Sequence, residues 1–350
     1  MKKNERDWNI ELLRIITMFM VVFIHAFEYG KIFELVNPNS IQYYVYRFIH
    51  ALCQVGVNCF VLISGYYLIN SKTFIHRFLK IFIHTVFYSL LFYLIFVVLG
   101  KYEFEWKMVM VYATPIGHEI YWYVTRYIVL LVFVPFINIL IKNLNLKQFK
   151  FFILLMLTFF SVYPFLFHSG YLNMITGKEF SLFILLYCIG AYIRKSQIIK
   201  PVFSCFCLYT MIILTGVCII IFADKLQINI ENNYILRYNS PLIIGASYFF
   251  FMAFKGIKID KKVSMDISGW IQKIGGLTFG VYLIHNHPII RQYIYLYISP
   301  SYLYFFVYII GIFMMSASIE YIRKKLFFKP DVYIFHFSNY LENKLGNIIG

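Results

Sequence analysis

Charge is what this chain most lacks. Of its 350 residues, 14% are Asp, Glu, Lys or Arg, against roughly 25% in a soluble globular domain. Carboxylates are scarcest, 16 against 32 Lys and Arg, which leaves a formal net charge of +16. Long polar segments are missing as well. Hydrophobic residues make up 61% of the chain, and the mean hydropathy is +0.71. That balance excludes a water-soluble globule. It also excludes disorder, because so much apolar surface does not stay hydrated. Cysteine is sparse: Cys53, Cys59, Cys188, Cys205, Cys207 and Cys218, all in apolar stretches and none in a Cys-x-x-Cys pair. Neither a disulfide framework nor a zinc site is indicated, and we expect no metal. Gly-rich P-loops, Gly-x-Ser-x-Gly elbows and His-Glu-x-x-His helices are absent too.

What is present is a series of long apolar runs. A helix crossing a bilayer needs about 20 mostly apolar residues. Ten candidates run near 9–28, 46–69, 75–99, 121–142, 149–167, 180–194, 201–222, 239–255, 274–296 and 301–322. The sixth and eighth are short. The expected fold class is therefore all-α, a polytopic bundle of about ten transmembrane helices. The first run follows Lys2, Lys3 and Arg6 like a signal peptide, but no small-x-small cleavage site follows, so it reads as a retained helix. With the amino terminus inside, 22 of the 32 basic residues fall on inside segments, six outside, and four (Arg14, Arg47, Arg126 and Arg291) in or at the edge of helices. That asymmetry places both termini in the cytoplasm. Short basic clusters between apolar runs suit membrane ends and give no reason to expect nucleic acid. Residues 323–350 read as a basic, amphipathic cytoplasmic tail on a 1–322 transmembrane domain.

Ionisable residues inside these runs carry the functional argument, since Arg at a helix centre costs roughly 2.5–3.5 kcal/mol on insertion scales. Arg14 lies in the first helix with Glu11 three residues before it, close enough to pair. His25 follows eleven residues later, which advances about three turns plus roughly 20° and about 16 Å. Arg14 and His25 thus share one face at opposite depths. Glu28 is placed to orient the imidazole. A packing ion pair and an interfacial histidine are the plainer readings of the same residues. Ser64-Gly65 near the end of the second helix permits close helix approach. Arg77 and Lys80 at the start of the third point the same way, as membrane anchors or as a phosphate clamp. Tyr121-Trp122-Tyr123 with Arg126 opens the fourth helix, as an aromatic belt or a sugar-stacking wall, after a loop with His118 and Glu119. The ninth run holds His285, Asn286 and His287 before Pro288, which breaks the backbone ladder; catalysis and interhelical bonding are both open there.

Taken together, these segments resemble the membrane acyltransferase-3 family, bacterial integral-membrane O-acyltransferases of surface glycans. Its acidic-x-x-Arg, ten residues, His pattern resembles Glu11, Arg14 and His25, with Glu where Asp is more usual. Its Ser-Gly resembles Ser64-Gly65, its Arg-x-x-Arg resembles Arg77 and Lys80, its aromatic opening of the fourth helix resembles 121–123, and its Tyr-Leu-Ile-His resembles 282–285. Lys80 departs from the pattern because an ammonium does not make the bidentate fork of Arg. The resemblance implies a single-module enzyme of the bacterial plasma membrane with an acyl-CoA donor, usually acetyl-CoA, bound from the cytoplasm. The acceptor is a hydroxyl of an extracytoplasmic polysaccharide or lipid-linked sugar, and membrane lipids surround the helices. On that reading His25, Arg14 and Glu11 are catalytic, and Arg77, Lys80 and Ser64 bind the donor. Glu28, Trp122, Tyr123, Arg126 and His285 face the acceptor, and His25 acts as base or carries the acyl group. A glycan-precursor transporter and a non-catalytic scaffold in polysaccharide assembly are the alternatives.

Overall fold

Seventeen α-helices and one π-helical turn form the described part of the chain, with no strand among the described residues. The structure is a computed structural model and describes residues 7–71, 74–167, 177–227, 234–258 and 261–349. Four of the 22 basic residues assigned to inside segments, Lys2, Lys3, Arg6 and Lys72, lie outside the described residues. In chain order the helices are α1 (Trp8–Tyr29), α2 (Ile32–Leu35), α3 (Ile41–Cys53), α4 (Val55–Leu68), α5 (Phe74–Val98), α6 (Trp106–Ala113), α7 (Trp122–Asn143) and α8 (Leu146–Leu157). After the π-turn Thr158–Val162 come α9 (Tyr163–Phe167), α10 (Phe180–Ser196), α11 (Val202–Lys225), α12 (Pro241–Gly256) and α13 (Lys261–Gly275). The last four are α14 (Thr278–His285), α15 (Pro288–Ile294), α16 (Tyr302–Leu326) and α17 (Phe328–Ile349).

Seven of the ten expected runs are helices long and apolar enough to cross a membrane: Trp8–Tyr29, Ile41–Leu68, Ile75–Val98, Trp122–Asn143, Leu146–Phe167, Val202–Lys225 and Tyr302–Leu326. The runs near 180–194 and 239–255 form α10 and α12, of 17 and 16 residues. The run near 274–296 is broken. Pro288 supplies no N–H, so the ladder stops at His285 and restarts at Pro288, with the His287 side chain accepting from the Ile289 amide as an N-cap. A second proline acts more gently: Pro164 follows the π-turn, where one extra residue per turn absorbs the missing donor.

The chain divides into two compact units. The first holds residues 1–69 and 143–278, and the second holds 70–142 and 279–350. In the first unit, α4 and α10 cross at glycines. A Cβ on Gly65 would overlap the carbonyl of Tyr187, and a Cβ on Gly190 would overlap the carbonyl of Leu62. The close approach permitted by Ser64-Gly65 is thus realised, with two reciprocal glycines bringing backbones into contact. Burial separates centre from rim: 78% of the apolar window in 41–68 is buried, but only 22% of that in 146–167. The exposed remainder is apolar, with Phe151, Leu154 and Phe159 on the outside, as a helix facing hydrocarbon requires. Cys53, Cys59, Cys188 and Cys205 are buried as small apolar side chains.

In the second unit, Tyr93, Tyr112 and Ile289 form a core, with the Tyr93 and Tyr112 rings stacked at 4.9 Å. The carboxyl-terminal helix α17 packs along α5. Glu342 Oε1 accepts from the amides of Ile75 and His76 at 3.0 and 3.4 Å, supplying a carboxylate to the amino end of α5.

Candidate active site

In the first unit, α1 positions three of the expected residues. Glu11 is completely buried, and the Arg14 side chain is 19% exposed. Arg14 Nη1 donates to both Oε1 and Oε2 of Glu11 at 2.8 Å. Gly275 at the end of α13 closes over the carboxylate, where a Cβ would stand 2.6 Å from Glu11 Oε2. Glu11 therefore has no room to swing away, and the guanidinium is held at a fixed place on α1. Its Nε and Nη2 make no hydrogen bond to a described residue. A positioned cation with unused donors is the kind of group that binds an anion or an electron-rich carbonyl.

His25 is buried at 8% exposure, its ring 5.3 Å from that of Tyr29 one turn on. The continuous helix Trp8–Tyr29 keeps the spacing argued above, so Arg14 and His25 occupy one face. Glu28 is exposed at the same end and within electrostatic range of Lys178. On α4 the Ser64 hydroxyl is buried and donates to the Phe60 carbonyl at 2.9 Å, one turn back along its own helix.

In the second unit, Arg77 is half-buried and Lys80 exposed on the first turns of α5. His84 continues the same stripe one turn further. Its Nε2 lies 3.3 Å from Asp331 Oδ1 on α17. Asp331 also meets Arg323 at 3.5 Å. Arg323 donates from Nε and Nη2 to Glu320 at 2.9 and 3.0 Å, and Tyr88 Oη donates to Glu320 Oε2 at 2.6 Å. Burial opposes ionisation of Asp331. The hydrogen bond with His84 and the charge of Arg323 outweigh it and hold the carboxyl at about 2. Sequence reasoning missed this network. Its signal was Glu320, a carboxylate in an apolar run, three residues before an arginine already counted as an ordinary cytoplasmic cation.

The aromatic opening of α7 is also in the second unit. Tyr123 stacks on Tyr127 at 5.8 Å and meets Tyr282 edge-on at 5.9 Å; Tyr282 in turn lies 6.1 Å from His285. Trp122 packs edge-on against Tyr123. Trp122, Tyr123 and His285 are therefore brought together around Tyr282. Arg126 is engaged by Glu119 at 2.5 Å. His285 is fully buried with Nδ1 2.5 Å from the Val281 carbonyl. His287 has a structural post, capping α15 while Nε2 meets the Ser89 carbonyl at 3.2 Å. Among the described residues no three or more His, Cys, Asp or Glu side chains gather as a metal site.

Apolar helices of spanning length, with buried ionisable groups fixed inside them, define a multi-pass membrane protein carrying its polar chemistry within the helical region. A family model described as an acyltransferase domain matches residues 7–321. The chain belongs to that family and is an acyltransferase. No curated protein and no solved structure matches it.

Proposed function

We propose that this acyltransferase moves a short acyl group, acetyl in the first instance, from acyl-CoA to a hydroxyl of an extracytoplasmic polysaccharide or lipid-linked glycan. Its setting is the bacterial plasma membrane, with about ten membrane passes and both termini cytoplasmic. The broken run 278–294 and the shorter α10 and α12 complete that number. The observation that carries the reading is the fixed Glu11–Arg14 pair with His25 buried on the same helix face, inside a chain matched over 7–321.

The chemistry assigns each group a task. The acceptor hydroxyl gives its proton to the His25 imidazole as its oxygen attacks the thioester carbonyl. Collapse of the tetrahedral species expels the CoA thiolate, which takes the proton back from the imidazolium. Base catalysis by a histidine is worth roughly 10²–10⁴-fold. The unused donors of Arg14 bind the donor, and Arg77 and Lys80 provide positive charge for its phosphates, with the buffered amino end of α5 behind them. Trp122, Tyr123, Arg126, Glu28 and His285 are the acceptor-side candidates. In membranes holding equal amounts of wild type and His25→Ala, label from [14C]acetyl-CoA should appear on surface glycan only with the wild type. Undiminished labelling by His25→Ala would overturn the base assignment, and no labelling by the wild type would overturn the glycan reading.

A further inference from the structure

Where α1 begins, in the first unit, four helix ends meet at side chains that no role above uses. Asp7 is the N-cap of α1, Tyr66 lies in the last turn of α4, Arg194 in that of α10 and Lys255 in that of α12. The glycine crossing of α4 and α10 sets them side by side. Gly190 packs against the backbone of Tyr66. One turn further on, the Arg194 guanidinium lies 4.8 Å from the Tyr66 ring centre, and its Nη1 donates to Tyr66 Oη at 2.9 Å. Phe251 backs that ring at 5.6 Å. Lys255 Nζ is 5.8 Å from the same ring and donates to the carbonyls of Ile193 and Ile198 at 3.3 and 2.6 Å. Lysine at the carboxyl end of a helix is ordinary capping. Here it also fixes a second positive charge beside Arg194.

Arg194 has no such structural task for most of its donors. Nε and Nη2, the two that lie parallel along one edge of a guanidinium, have no hydrogen-bond partner among the described residues. In Arg323 the same edge takes both oxygens of Glu320. Asp7 does not fill it in Arg194: its Oδ2 is 3.9 Å from Nη1 and 3.5 Å from Tyr67 Oη, too far for a strong bond. Two cations therefore meet one half-exposed carboxylate among the described residues. A positioned fork in a net positive setting fits a phosphate, whose oxygens take two parallel N–H groups.

We infer that Arg194, backed by Lys255, holds a phosphate at the nucleotide end of the acyl donor. The first helix serves as the ruler. Arg14 is seven residues after Asp7, within about 20° of two full turns, and His25 is eighteen residues after Asp7, about five turns and 27 Å. Asp7, Arg14 and His25 thus stand in line on one face, and Tyr67 lies within electrostatic range of Asp7, Glu11 and Arg14. A donor stretched along that face, with its thioester towards His25 and its chain past Arg14, brings its charged end to Arg194. CoA carries a diphosphate and a separate ribose phosphate, so a further phosphate ligand is compatible with Arg77 and Lys80. The inference rests on the acyl-CoA reading and extends it to residues of α10 and α12.

Two donors test it on the full-length protein in detergent micelles: acetyl-CoA, and S-acetylpantetheine, which has the thioester and no phosphate. Affinity for each is measured alongside KM and kcat of transfer to surface glycan. In Arg194→Gln, affinity for acetyl-CoA should fall on the order of tenfold, with KM raised to match and kcat little changed, the effect of lost charge-assisted bonds. Binding of S-acetylpantetheine should stay at the wild-type level, and Arg194→Lys should fall between, keeping the charge without the fork. A folding defect weakens both donors alike, so equal losses overturn the inference. So does an unchanged acetyl-CoA affinity. If that unchanged variant also ceases to retain phosphatidylglycerol over phosphatidylcholine in mixed micelles, the phosphate held is that of a lipid. Transfer by the wild type with the same KM in Arg194→Gln overturns the phosphate site and leaves the acyltransferase reading standing. Acetyl-CoA binding that depends on Arg194, with no label on glycan, overturns the glycan reading and leaves the site standing.

Discussion

Arg14→Ala should fail for two reasons, and the structure separates them. The substitution removes both 2.8 Å bonds to Glu11, whose side chain is completely buried. Gly275 stands against the carboxylate, so the charge has no route to water. Breaking one side of a buried ion pair costs about 3–5 kcal/mol. With an unfolding entropy near 2.1 cal/mol/K per residue over 350 residues, that lowers Tm by roughly 4–7 °C. Glu11→Gln on top of Arg14→Ala removes the buried charge and should restore most of the loss, because an amide is far cheaper to bury than a carboxylate. Acyl transfer should stay lost, because the unused Nε and Nη2 of Arg14 are still gone. Thermal unfolding in micelles and labelling from acetyl-CoA read the two effects on the same samples. An Arg14→Ala protein as stable as wild type refutes the energetic argument. A double variant that regains transfer along with stability shows that Arg14 only anchors α1.

Other consequences are simpler. Gly65→Ala and Gly190→Ala each drive a methyl into a carbonyl of the facing helix, where the backbone cannot give way; each should destabilise by about 1–3 kcal/mol or more, seen as a lower Tm with the Gly65→Ser variant no better. Asp331 titrates well below its unfolded value of 3.8, at about 2, so the stability it contributes is complete above pH 4 and is lost as pH falls through 2. Asp331→Asn should therefore lower Tm at pH 7 and flatten the decline between pH 4 and pH 2. An unchanged acid profile would show that the link from α17 to His84 and Arg323 stores no such energy.

The sequence was most informative where a single helix carried the message. The apolar runs, the Glu11–Arg14 pairing and the close approach at Ser64-Gly65 are all local, or rest on residue size alone. In the run near 274–296 the break at Pro288 was legible from the proline itself, whereas hydropathy does not register that His287 caps the new helix. The Glu320–Arg323–Asp331–His84–Tyr88 network was out of reach for another reason. It joins α5, α16 and α17 across more than 200 residues of sequence, and no periodicity within one helix reports a partner on another.

The two units repeat one device with different results. Glu11-Leu-Leu-Arg14 lies in α1 and Glu320-Tyr-Ile-Arg323 in α16, each a carboxylate three residues before an arginine in a helix of spanning length. Spacing makes both pairs alike; occupancy separates them. Arg323 is 6% exposed and uses Nε, Nη1 and Nη2 on Glu320 and Asp331, so its donors are directed wholly at the protein. Arg14 is 19% exposed and directs Nη1 alone at Glu11. A guanidinium whose fork is filled stabilises a helix junction and little else. One that is anchored by a single nitrogen keeps its charge, its position and its remaining donors for something that arrives. That difference, rather than the motif, is the physical reason to place ligand chemistry at Arg14 and structural chemistry at Arg323. Lysine at each position draws it out: Arg323→Lys loses the multi-point bonding and should cost stability, whereas Arg14→Lys keeps a bond to Glu11 and should cost transfer.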